Sequence, residues 1–188
     1  LCSLTGYALA RMRFPGRKFV LYAVLATTMV PFQVLLMPLF IVTLRLGLVD
    51  SYAGVILPVA VNAIGIFLMR QAFSTVPRDL EDAARIDGCG DFTIYARIML
   101  PLVKPALATL AAFTFVAQWN DFLWPLVVLK SREYYTLQLG LASLQGVFGV
   151  NWRYISAASI IALAPTIVFF LLTQRFFTRG LAAGAVKE

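Results

Sequence analysis

The sequence predicts an all-α polytopic membrane protein, with four complete spans plus a partial first helix. Three observations predict it. Mean hydropathy is +0.84, and 61% of the 188 residues are hydrophobic while 13% are charged. A soluble domain of this size needs more polar surface than that. Several charge-free windows reach the roughly 20 residues a spanning helix requires. The apolar runs are continuous, whereas the strands of a membrane barrel would alternate.

The chain opens on LCSLTGYALA, apolar and followed at once by RMRFPGRK. Ten helical residues rise about 15 Å, half of the roughly 30 Å hydrocarbon core. The stretch lacks the basic start of a signal peptide. It is expected to be the second half of a spanning helix, and the sequence to be amino-terminally truncated. Residues 19 to 44 carry no charge, 26 in a row, and neither do 51 to 69 or 154 to 174. Between Lys104 and Lys130 the one charged residue is Asp121. Pro31, Pro38, Pro58, Pro125 and Pro165 punctuate these windows and tend to kink helices. They fit either ordinary tolerance of proline in membranes or bent helices around a pathway.

Loop charges orient the chain. Residues 11 to 18, 70 to 104 and the tail from 175 hold twelve of the sixteen Lys and Arg residues, and the opposite side holds Arg45, Lys130, Arg132 and Arg153. The first set is therefore expected in the cytoplasm, with the carboxy terminus there too. The same bias accounts for the net charge of +7 and disfavours a nucleic-acid partner. Histidine is absent, which removes the commonest general base and metal ligand. Cys2 and Cys89 form no metal-ligand or disulfide pattern.

The whole chain is expected to be a single transmembrane domain, 1 to 188, with residues 70 to 104 as a cytoplasmic loop. That loop contains EDAARIDGCGDF, residues 81 to 92. Pro77 suits a first helical turn, and Asp79, Glu81 and Asp82 favour the positive end of the helix dipole. Gly88 suits the position just past the last turn. The pattern predicts a helix over 78 to 87, then a second one, FTIYARIML, capped by Asp91 and ending before Pro101. Leu80, Ala83, Ala84 and Asp87 fall on one face at i, i+3, i+4 and i+7. Small residues with charged flanks suit a docking element, but a solvated helix without a partner fits equally.

EDAARIDGCGDFTIYARIMLPLVKPAL closely resembles the cytoplasmic EAA motif of binding-protein-dependent ABC transporter permeases. The family pattern is roughly E-A-A, three residues, G, nine or more residues, then I-x-L-P. Glu81, Ala83, Ala84, Asp87, Gly88, Ile98, Leu100 and Pro101 fit it. Asp82 stands where the first alanine is usual, and Cys89 where a small residue is. GYALARMRFPGRK, QWNDFLWPLVVL, YYTLQLGLASLQG and RFFTRGLAAGAVKE resemble the sugar-uptake branch, of the maltose and glycerol-phosphate types. The match begins within the second of the family's usual six spans.

The resemblance implies a type I ABC importer transmembrane domain with a cytoplasmic coupling helix, in a bacterial or archaeal plasma membrane. Its coupling residues would be Glu81, Ala83, Ala84, Arg85, Asp87 and Gly88, seated in a groove of a cytoplasmic ABC ATPase dimer. Further partners would be a second permease subunit, usually a different chain, an extracytoplasmic solute-binding protein, and membrane lipid. The solute would be a carbohydrate, or else a polyol or sugar phosphate. No cofactor is expected on this chain, because ATP and Mg would sit on the ATPase. The chain lacks the G-x-x-x-x-G-K-[ST] loop that cradles phosphates, so it is not expected to be an enzyme. An ion-coupled secondary carrier would want a buried carboxylate relay, and it would leave the cytoplasmic helix unexplained.

A second candidate region is FVAQWNDFLWP, 115 to 125. A carboxylate inside a span costs about 2.5–3.5 kcal/mol on insertion scales unless it is paired or hydrated. Gln118, Trp119, Asn120, Asp121 and Trp124 combine aromatics with hydrogen-bonding groups, which suits a sugar in a substrate pathway. The alternatives are an interfacial aromatic belt with Asp121 reaching headgroups and packing of Asn120 and Asp121 against a partner helix. Gln33 and Asn62 are weaker candidates, with bonding to another helix favoured over lining a pathway. The outward loop, 130 to 152, suits the interface or contact with an external protein.

Overall fold

Proline and capping residues break the apolar windows into shorter helices than hydropathy suggests. The computed structural model describes residues 1–146, 149–150 and 152–185, with side chains for 1–144 and 152–174. Lys187 of the cytoplasmic tally and part of the 130 to 152 loop lie outside the described residues. The elements in order are α1 Cys2–Arg11, α2 Arg17–Thr27, α3 Phe32–Arg45, α4 Tyr52–Ile56 with a 3-10 turn Leu57–Val59, and α5 Ala63–Ser74. Then come α6 Asp79–Ile86, α7 Asp91–Leu102, α8 Lys104–Trp119 and α9 Leu123–Val128. A 3-10 turn Arg132–Tyr134 and α10 Leu137–Ser143 follow. A two-residue antiparallel pair, Gln145–Gly146 with Gly149–Val150, precedes α11 Trp152–Ala185.

By length and composition one described helix segment can cross a membrane, Trp152–Gln174, or up to four spans form if each of three bent helix pairs crosses as one. The windows 19 to 44 and 51 to 69 are therefore each a broken helix pair rather than one continuous helix. The first window breaks where Thr27 and Thr28 turn their hydroxyls back to Val24 O (2.7 Å) and Leu25 O (2.6 Å), just before Pro31. The second breaks after Pro58, where Asn62 starts a new helix by accepting the Gly65 N–H at 2.6 Å. Asn62 thus caps its own helix through its side chain, while its backbone carbonyl accepts from the Cys2 thiol of α1 at 3.7 Å. Pro38 and Pro165 lie inside helices α3 and α11. The window 105 to 129 is also interrupted, at residues 120 to 122 between α8 and α9.

The second loop helix differs from expectation as well. Gly90, not Asp91, occupies the cap position. Residues Ile94–Met99 form a π-helical stretch, and the Leu100 N–H reaches back to Tyr95 O. The wide turn lets the helix run through Pro101, whose ring would crowd the carbonyl four residues back in an ordinary α-helix. The chain then bends by 83° at Val103 into α8.

Contacts divide the chain into two compact units, one of Leu1–Val30, Val61–Ala111 and Arg175–Glu188, the other of Pro31–Ala60 and Ala112–Gln174. In the first, α1 packs along α5 with backbones nearly touching at Gly6. A Cβ there would stand 2.7 Å from Met69 Cβ and 2.9 Å from Arg70 N. Tyr7, Met69, Phe73, Ile94 and Met99 fill the core around this crossing. Tyr7 meets Phe73 edge-on at 5.4 Å and Tyr95 at 5.2 Å between ring centroids. In the second unit Trp124, Val128, Leu129 and Leu139 are buried, with Phe32, Phe40, Val55 and Val59 packed on them. On α11, Ile160, Ile161, Leu163, Phe170 and Leu172 are exposed, as a helix facing lipid or another apolar surface requires.

Candidate functional site

α6 is built by local chemistry and anchored by distant chemistry. Asp79, Glu81 and Asp82 occupy its first turn and Arg85 its last, which suits the helix dipole. Its end is a Schellman closure. The Gly88 N–H donates to Arg85 O at 3.0 Å and the Cys89 N–H to Ala84 O at 2.9 Å. Gly88 has φ +81°, in the left-handed region that glycine adopts without strain. A Cβ at Gly88 would meet nothing within 4 Å, so its identity is demanded by backbone conformation and not by space.

The inner face of α6 holds Glu81 and Ala84, each 5% exposed. Ala84 joins the core of the first unit. Glu81 Oε2 lies 3.9 Å from Arg11 Nη1 of α1, with both side chains almost fully buried. Arg11 also donates from Nη2 to Phe73 O (2.6 Å) and Val76 O. Glu81 Oε1 and Arg11 Nε lack partners. The expected face of Leu80, Ala83, Ala84 and Asp87 is therefore corrected at Ala84, which turns inward one step behind Glu81 on the helix. Leu80, Ala83 and Asp87 face outward with Ile86 at 87% exposure. Phe92, on the start of α7, is 72% exposed. Arg85 is exposed and donates to Asp91 Oδ1 at 2.9 Å. This contact raises the guanidinium pKa above its ordinary value.

The residues around 118 to 124 do not share one environment. Trp124 is fully buried, and its Nε1–H donates to Gly54 O at 3.1 Å. Trp119 Nε1–H donates to Ala162 O at 3.0 Å and stacks on Phe115 at 5.6 Å. Asn120 is exposed and its amide donates to Val116 O, one turn back in α8. Asp121 Oδ1 accepts the N–H groups of Leu123 (3.1 Å) and Trp124 (3.4 Å), so it starts α9. Gln118 and Asp121 line a cavity of about 340 Å³ with Thr114, Thr136 and the apolar Val55, Ile56, Val59, Ala60 and Pro125. Trp119, Asn120 and Trp124 do not line that cavity.

Two residues escaped sequence reasoning. Arg11 entered only as a loop charge, and it pairs with a residue 70 positions away. Asp50 has φ 60°. It gathers the N–H groups of Lys130 (2.8 Å) and Ser131 (2.9 Å) on Oδ1 and the Ser131 hydroxyl (2.6 Å) on Oδ2. The Ser131 hydroxyl and N–H, then the Lys130 N–H, hold the carboxyl below its ordinary pKa. No run or spacing in the sequence marks either pairing. Among the described residues, no three His, Cys, Asp or Glu side chains cluster as metal ligands do.

Residues 3–182 match the family model described as "Binding-protein-dependent transport system inner membrane component". The chain is 45% identical over 185 residues to the arabinooligosaccharides transport system permease protein of Bacillus subtilis (strain 168), covering 98% of the chain and 66% of that relative. It is 39% identical over 180 residues to the sn-glycerol-3-phosphate transport system permease protein of Yersinia pestis, covering 95% and 64%. It thus spans about two thirds of the length of these relatives. Among solved structures, one chain of a bacterial ABC transporter involved in the import of the acidic polysaccharide alginate superposes with a TM-score of 0.82. That match has 28% identity and covers 94% of this chain and 69% of that one.

Proposed function

The chain belongs to the binding-protein-dependent transport system inner membrane components, and from that membership we propose that it is the membrane subunit of an ATP-driven carbohydrate importer. The observation that carries the mechanism is α6. It is a capped helix whose inner face is pinned by Ala84 and by Glu81 on Arg11, with Leu80, Ala83, Ile86 and Asp87 left outward. A helix fixed on one side and free on the other passes on a push from a partner without rolling. The partner is a separate ATPase that binds ATP and Mg and hydrolyses the nucleotide, so this chain is not itself an enzyme. The carboxy terminus and the α6 loop lie in the cytoplasm, on the side where the loop cations gather. A soluble binding protein outside the membrane delivers the solute, and a second permease chain completes the pathway.

The solute class follows the relatives, which are named for an oligosaccharide and a polyol phosphate. The cavity at Gln118 and Asp121 supports that choice, with two threonine hydroxyls, an amide and a carboxylate set among apolar walls. Trp119 and Trp124 serve as scaffold for it, since their indole N–H groups are already bonded to backbone carbonyls.

The test is reconstitution of the chain with its ATPase, second permease and binding protein in vesicles. Uptake of a labelled oligosaccharide should require ATP and every component. Ala83→Arg, on the outward face, and Gly88→Val, at the helix end, should lower copurified ATPase and uptake at least tenfold while the chain stays folded. Normal ATPase content in both variants excludes α6 as the docking element. Uptake driven by an ion gradient without ATPase overturns the whole reading.

A further inference from the structure

The loop between α1 and α2 borders an open cavity that the proposed transport cycle does not use. It measures about 760 Å³ and is lined by Arg13, Phe14, Arg17, Lys18, Tyr22 and Arg70, with Pro15, Gly16 and Leu21 completing the wall. Four of these residues are cations and none is acidic. The two ion pairs among described side chains, Arg11 with Glu81 and Arg85 with Asp91, do not involve any of the four. Arg17 donates to Met12 O at 3.2 Å. Arg70 Nε is buried without a hydrogen-bond partner.

The backbone adds donors to the same place. Gly16, at φ +79°, turns the chain into α2, whose first helical hydrogen bond comes from the Val20 N–H to Gly16 O at 3.0 Å. The N–H groups of Arg17, Lys18 and Phe19 thus precede the helical ladder, at the positive end of the dipole. Four guanidinium or ammonium groups sharing one hollow repel each other unless an anion neutralises them, and a phosphate group accepts from several at once.

The other wall tells which anion. Phe14 and Tyr22 line it at 39% and 66% exposure, and Phe19, next to Lys18 but outside the lining, begins the charge-free stretch at 77% exposure. The hollow therefore sits where a cationic turn meets a helix with outward apolar side chains. A free phosphate has no use for that second half. A phospholipid has a phosphate joined to acyl chains, and it matches both.

We propose that this cavity binds the phosphate headgroup of an anionic phospholipid, tying the α1–α2 turn and α5 to the membrane surface. The proposal needs only a membrane location, not the carbohydrate or the ATPase, so it stands or falls apart from the transport reading.

Native mass spectrometry of the purified full chain, released from detergent with added phosphatidylglycerol or phosphatidylcholine, tests it. Phosphatidylglycerol should be retained in preference. Arg13→Gln and Lys18→Gln, both in the exposed turn, should each weaken retention about fivefold, as expected for about 1 kcal/mol per surface cation, and Arg70→Gln at least as much. Arg132→Gln, an exposed cation on the other loop, should change nothing. Equal retention of the two lipids, or unchanged retention in folded Arg13 and Lys18 variants, overturns the proposal. Full displacement of the lipid by millimolar inorganic phosphate also overturns it, since the occupant is then the free ion.

Discussion

The two compact units hold their carboxylates in opposite ways. In the first, Glu81 is buried against one cation, Arg11, at 3.9 Å, with its second oxygen unpartnered. In the second, Asp50 collects three donors at 2.6–2.9 Å and Asp121 two backbone N–H groups, both in partly open positions. The aspartates organise backbone: one ties the start of α4 to the segment after α9, and the other begins α9. Glu81 organises a helix as a body, through a 3.9 Å ion pair with Arg11 and its interaction with the Tyr7 hydroxyl. A carboxylate with several short bonds fixes a turn rigidly. One held mainly by a long ion pair inside a core leaves its helix anchored and still able to shift. That difference suits a helix that receives motion and segments that frame a cavity.

The most forceful way to break the comparison is to remove Arg11. Arg11→Met leaves Glu81 charged and buried without its cation, and such a loss costs about 3–5 kcal/mol. The double variant Arg11→Met with Glu81→Leu removes both charges and should recover most of that loss, since apolar replacement of a buried pair is often neutral. Thermal unfolding in detergent and protease sensitivity of the 76 to 91 loop measure both effects. If Arg11→Met unfolds like the parent chain, the ion pair does not anchor α6.

What the sequence allowed to be read follows the same division. α6 was legible because its start and stop are written locally, in three acids at one end and a glycine at the other. Gly88 is open to space and positive in φ, so one residue type announces its conformation. The inner face was not legible, because Ala84 points inward only once α1 and α5 meet at Gly6. The sequence offers Trp124 as a pathway residue or as part of an interfacial aromatic belt. A carbonyl 70 positions upstream, Gly54 O, places it in the core instead. The helix breaks were half legible. Pro31 and Pro58 lie at breaks beside Thr27, Thr28 and Asn62, which cap or close helices, whereas Pro38 and Pro165 lie within helices. Proline marks the breaks only where a neighbour satisfies the freed backbone groups. The overall class, an all-α membrane chain of the type I importer fold, came from composition and the EAA-like run together, and the family and fold matches agree with it.

A milder variant sharpens the aspartate side. Asp121→Ala removes the acceptor for Leu123 and Trp124 N–H and should cost about 0.5–2 kcal/mol, the usual range for a lost helix cap. Asp121→Asn keeps an acceptor oxygen and should recover nearly all of it. Stability measured by chemical denaturation separates that role from the cavity. A variant that unfolds like the parent chain yet loses uptake shows that Asp121 serves the solute. One that loses stability and uptake in step shows that it serves α9.

The smallest effect is the pH response of Asp50. Its folded-state carboxyl titrates below the ordinary 3.8, chiefly because the Ser131 hydroxyl bonds to it. Its contribution to stability is therefore complete above about pH 4 and is lost as the pH falls through 3.8 toward the folded-state value. Asp50→Asn has no such titration. The parent should exceed it in stability at neutral pH, with the two curves converging in acid. Trp124 sits in the same unit, and its fluorescence follows unfolding there. A gap between the curves that stays constant from neutral pH into acid means the ionised carboxylate adds nothing beyond the shape of the turn. The contrast between Glu81 and the aspartates would then rest on Asp121 alone.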